Sequence, residues 1–72
     1  MDEPSAQRIA AAVRAEVARA ARRQVDLADH LGLSQPAISR RLSGDVEWTG
    51  AELQRVAAFL GVPVSLLMPD AA

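Results

Sequence analysis

Gly32 stands between two short stretches of helical periodicity, and this glycine limits residues 24–44, QVDLADHLGLSQPAISRRLSG, to a sharply bent pair of helices. The first stretch, about Gln24 to Leu31, sets Leu27, Ala28 and Leu31 on one inward face. A residue without Cβ takes the left-handed conformation at little cost, so Gly32 can close this helix and turn the chain at once into the next. Ser34 is placed to cap the second helix through its hydroxyl. Pro36 suits an early helical position where a missing N–H is no loss, and Gly44 sits where the helix should stop. Leu33, Ile38 and Leu42 then point to the core, leaving Gln35, Pro36, Ser39, Arg40 and Ser43 on or near the outer face. The arrangement is a helix-turn-helix, and its outer polar face is the functional candidate.

The flanking segments supply the rest of a small all-α core. A first helix is expected from Ser5, with Glu3 and Pro4 just ahead of it, to about Arg22, because alanine and arginine favour helix throughout. Ile9, Val13, Val17 and Ala20, flanked by Ala12, fall within a core-facing stripe of about 80°. Arg8, Arg19 and Arg22 cluster on the opposite flank, either as a solvated face or as phosphate contacts. Glu16 borders the apolar stripe, where it can pair with Arg19, Arg23 or Arg41.

After Gly44, Thr49 and Glu52 fit a capping box, while Trp48 and Leu53 take the two positions of a hydrophobic staple. A fourth helix therefore begins at Thr49, buries Leu53, Val56, Ala57 and Leu60, and ends at Gly61, with Phe59 off the stripe. Pro63 at a first helical position predicts a short fifth helix to Met68, stopped by Pro69.

Seventy-two residues make one domain, 1–72, which buries roughly 60% of its unfolded surface and has a stability of about 3–5 kcal/mol. Without cysteine there is no disulfide, thiolate or cysteine-type zinc site, and a single histidine cannot build a metal cage. No apolar run reaches a membrane span and the start of the chain is acidic and polar, so a cytoplasmic protein is expected. The serines and the one histidine show no nucleophile–base spacing, and there is no glycine-rich phosphate loop. Neither enzyme activity nor catalytic residues, cofactor, metal, small-molecule ligand or membrane partner is expected.

The net charge of −1 argues against a polyanionic partner until its distribution is considered. Residues 5–44 hold seven arginines against three carboxylates, and the acidic excess lies outside them. Every basic residue is arginine, so each can make a forked contact to phosphate or guanine.

Gln24, Ala28, Gly32, Ser34, Gln35, Ile38 and Gly44, followed by LQRVAAFLGV, resemble the helix-turn-helix domains of phage repressors and Cro proteins over nearly the whole chain. The resemblance implies a compact five-helix, lambda-repressor-like domain, helix-turn-helix at 24–43, whose third helix enters the major groove, usually as a dimer on a palindromic operator. It places Gln24 at a phosphate and Gln35, Pro36 and Arg40 at bases, with Ser34 and Ser39 near phosphate or base edges. Gln35 can present its amide to adenine, and Arg40 can fork onto guanine. Pro36 offers only a ring surface, either to a thymine methyl or simply to start the helix.

The expected phosphate set is Arg22, Arg23, Gln24, Ser34, Arg41 and Ser43, with Arg41 otherwise pairing with Asp45, Glu47 or Glu16. Asp45 and Glu47 oppose the phosphate contact that relatives make through the loop after helix 3. His30 is expected to be solvent-exposed.

Two functions follow. One is a sequence-specific double-stranded DNA binder, a transcriptional repressor of phage or bacterial origin, with a possible homodimer through the helix 4–5 region. The other is a protein-interaction module, an antirepressor or antitoxin-like adaptor, docking through helix 5 and Phe59 with Val64, Leu66, Leu67 and Met68 as apolar candidates.

Overall fold

The computed structural model describes residues 5–68, which form α1 (Ser5–Arg19), α2 (Gln24–Leu31), α3 (Gln35–Ser43), α4 (Gly50–Leu60) and a 3-10 turn, Val64–Leu67. Among the described residues there is no strand. The positions expected to flank the bundle, Glu3, Pro4 and Pro69, lie outside the described residues. α1 packs on α3, on α4 and on the 3-10 turn, while α2 packs on α3 and α4. Val13, Leu27, Ile38, Val56 and Leu67 are completely buried where these elements meet, with Trp48 and Leu53 in the same cluster. The inward faces read from periodicity are those observed in α2, α3 and the first two turns of α4. Leu33 and Leu60 are only half-buried, and Ala10, fully buried, was not foreseen.

Two expectations are corrected. α1 stops at Arg19 rather than near Arg22, and Ala20 is exposed. Ala21 is left-handed at φ 56°, with its N–H bonded to the Ala18 carbonyl at 3.0 Å and the Arg22 N–H reaching back to Val17 at 3.2 Å. That hydrogen-bond pair is the Schellman motif with alanine in the glycine position. Helix propensity loses here because the chain must turn so that α2 can pack on α3 and α4. A non-glycine residue in this conformation costs about 1–2 kcal/mol, part of which glycine would return as unfolded-state entropy. Ala21→Gly is accordingly expected to stabilise the fold by about 0.5–1 kcal/mol, read as a higher urea midpoint at unchanged slope. A lower midpoint would mean that the turn is not strained.

The fifth helix is not an α-helix. Pro63 caps a single 3-10 turn, closed by bonds from the Leu66 N–H to Pro63 at 3.1 Å and from the Met68 N–H to Ser65 at 3.3 Å. Seven residues between the Gly61 stop and Pro69 are too few to propagate an α-helix beyond its costly first turn. The turn still seals the core, because Leu67 is fully buried while its neighbour Leu66 is about half exposed.

Gly32 adopts φ 70°, and the Leu33 N–H bonds to Ala28 at 2.9 Å, so the two helices of the motif join across three residues. At Gly44, φ 90°, a Cβ would also lie 2.5 Å from the Gln7 side-chain nitrogen, so α1 closes on the end of α3 where no side chain stands.

Candidate nucleic-acid interface

α3 is built from its cap outward. The Ser34 hydroxyl accepts the Ala37 N–H at 3.2 Å, Pro36 occupies the first turn, and Ile38 and Leu42 anchor the inner face. Gln35, Pro36, Ser39, Arg40 and Ser43 are all exposed, as their spacing requires. The side chains of Gln35 and Ser39 make no hydrogen bond within the described residues.

Arginine use divides the surface. Arg14 donates to the Leu42 carbonyl at the end of α3, Arg19 pairs with Glu16 at 3.3 Å, and Arg55 donates to the His30 carbonyl at 2.7 Å. Arg22 lies 3.9 Å over the Phe59 ring and donates to the Phe59 carbonyl at 3.3 Å. Arg23 forks onto Asp26 at 3.0 and 3.1 Å, and that hydrogen bond holds the Asp26 carboxyl below its ordinary range while raising Arg23. Arg8 also has a partner. Among the described residues, Arg40 is the one arginine with no hydrogen bond, ion pair or ring contact.

Arg41 points the other way. Its guanidinium meets Glu52 at 3.1–3.2 Å and the Ala37 carbonyl at 3.4 Å, with both charged side chains only 18% exposed. The partner is thus Glu52, not Asp45, Glu47 or Glu16. Burial works to raise the Glu52 carboxyl, but the Thr49 amide and the Arg41 guanidinium together hold it below its ordinary value. Of the three partners open to Glu16, the structure selects Arg19.

The expected phosphate set is therefore chemically uneven. Ser34 accepts in its cap and keeps a hydroxyl proton to donate, whereas Ser43 already donates to the Arg40 carbonyl at 2.9 Å. Gln24 is exposed at the first position of α2, whose N-cap, Arg23, provides no side-chain cap. The early amides of α2 are thus left to outside acceptors. Arg22 and Gln24 line one cleft of about 290 Å³ together with Arg14, a residue the sequence reading did not single out. Its only signal was helical register, four and eight residues before Ala18 and Arg22.

The other surfaces are less available than expected. Phe59 is half-buried beneath Arg22 and beside His30, whose ring centroid is 4.9 Å away, and His30 is exposed as expected. Of the four apolar docking candidates, Leu67 is in the core, Val64 and Met68 are half-buried, and Leu66 is exposed.

A glycine-hinged helix pair held by a small all-α core, with a capped polar helix turned outward, defines a helix-turn-helix domain. The helix-turn-helix family model matches residues 13–67, and the chain belongs to this family of DNA-binding regulators, in keeping with its phage repressor and Cro-like resemblance. No curated protein and no solved structure matches it. Among the described residues, no helix is long and apolar enough to cross a membrane.

Proposed function

We propose that this chain is a sequence-specific double-stranded DNA binder that acts as a transcriptional repressor of phage or bacterial origin. The observation that carries this reading is Arg40. On a molecule whose other arginines all have partners, it stands exposed and unengaged on α3, the helix that also carries an exposed, unengaged Gln35. In the major groove a forked guanidinium reads guanine O6 and N7, and a side-chain amide reads adenine N6 and N7. Pro36 and Ser39 complete the reading face, the proline through its ring against a thymine methyl and the serine through its hydroxyl.

Gln24, Ser34 and the open N-terminus of α2 hold phosphates, with Arg22 lining one cleft together with Gln24. Arg23 joins them by exchanging Asp26 for a phosphate, a small loss because exposed pairs of this kind contribute only about 0–1 kcal/mol. Ser43 has only a second, weaker role at the backbone, since its proton is in use.

Selection of bound duplexes from a random pool tests the proposal. An enriched site containing a G and an A at neighbouring positions is expected. A homodimer through the α4 and Leu66 region would add a second, inverted half-site centred about 34 Å away. A pool that enriches no sequence would overturn the reading. The interaction-module alternative has little surface left, because Phe59 is covered by Arg22 and His30 and Leu67 is buried.

A further inference from the structure

We infer that Arg41 and Glu52 are a positioning pair, setting the angle at which α3 is presented to DNA without touching DNA themselves. The inference rests on the DNA-reading assignment above and concerns how that reading face is held.

Glu52 is itself immobilised. Its carboxylate accepts the Thr49 N–H at 3.0 Å while its own N–H bonds the Thr49 hydroxyl at 3.0 Å, so it is locked to the first turn of α4. Against that fixed carboxylate Arg41 places Nε and Nη2 at 3.1–3.2 Å, and its remaining nitrogen returns to α3 at Ala37. The backbone of α3 lies close to α1 and α2 and approaches α4 only sparsely. The pair therefore ties α3 to α4, a helix its backbone approaches only sparsely, and it does so one residue along from Arg40. Base readout demands placement within about 0.5 Å and 10–20°, a tolerance that a forked, half-buried contact can enforce and a mobile single-point charge cannot.

The competing role for Arg41, a phosphate contact, makes opposite predictions. Removing a phosphate contact weakens cognate and random duplexes alike and lowers the salt slope by about one. Loosening the helix lowers the ratio of cognate to random affinity and leaves the slope in place. The ratio is also insensitive to lost stability, because an unfolded fraction reduces both affinities equally. Glu52 sharpens the contrast, since deleting an acidic charge from a DNA-binding face should strengthen binding if charge were all that mattered.

The experiment measures cognate and random affinities across a salt series for the parent, Arg41→Gln, Glu52→Gln, the double variant and Arg41→Lys. Each glutamine variant is expected to lower the ratio about tenfold, and the double no further than either single change, as residues acting through each other do. Arg41→Lys keeps the charge but loses the fork, so its ratio should fall too, whereas a phosphate role predicts a parent-like ratio. A parent ratio well above one that all variants retain would overturn the pair's role alone. A parent ratio of one would overturn the DNA-reading assignment and the pair's role with it.

Discussion

Ile38→Ala is expected to leave the domain largely unfolded at 37 °C. Ile38 is fully buried on the inner face of α3, where it joins the recognition helix to the core formed with α1 and α2. Truncating a buried isoleucine to alanine costs about 2–5 kcal/mol, transfer and cavity together, against a total of about 3–5 kcal/mol for a core of this size. The helix cannot relax inward to fill the space, because the Ser34 cap and the Gly44 turn fix both its ends. Far-ultraviolet circular dichroism against temperature measures the loss, and Ile38→Val should fall between parent and alanine at about 0.5–1.5 kcal/mol. Leu66→Ala, at an exposed site, should stay within about 0.5 kcal/mol of the parent. An Ile38→Ala melt equal to the parent's would show that α3 is not held by this face.

Arg40→Ala should do the reverse, sparing the fold and removing specificity. The guanidinium is exposed and makes no hydrogen bond, ion pair or ring contact within the described residues, so its loss is expected to leave the melting midpoint unchanged. Affinity for the selected site should drop by about 1–3 kcal/mol, roughly 5- to 150-fold, with the preference relaxed at one base pair. Affinity for random duplex should fall much less, by the electrostatic share of one cation. Arg40→Lys should recover the charge but not the discrimination, because an ammonium cannot fork onto O6 and N7. Equal affinity of Arg40→Ala and parent for the selected site and for its single-base variants would remove Arg40 from the groove.

Much of this molecule was legible along the chain because its signals are local. The Ser34 and Thr49 caps and the Gly32, Gly44 and Gly61 stops are set by backbone geometry within a few residues, and they occur where expected. The inward faces containing Leu27, Leu31, Ile38, Leu42, Leu53 and Val56 follow from the helical repeat. The Arg19–Glu16 pair, three apart on one chain segment, was among the partners open to Glu16, whereas Arg23, expected at a phosphate or at Glu16, pairs instead with Asp26. Where propensity was the only guide, as at residues 20–22, the expected helix ran on past its true end.

The sequence by itself determined the helix-turn-helix and the composition of its outward face, because helical periodicity and turn chemistry act over one or two turns. Only the tertiary structure decided which charges on that face remain available to a partner. Arg41 meets Glu52 eleven residues on, and Arg22 meets Phe59 thirty-seven residues on, distances over which no local periodicity reports. Neighbouring arginines at 40 and 41 project about 100° apart on the helix, so one step around α3 turns Arg41 toward α4 and leaves Arg40 exposed.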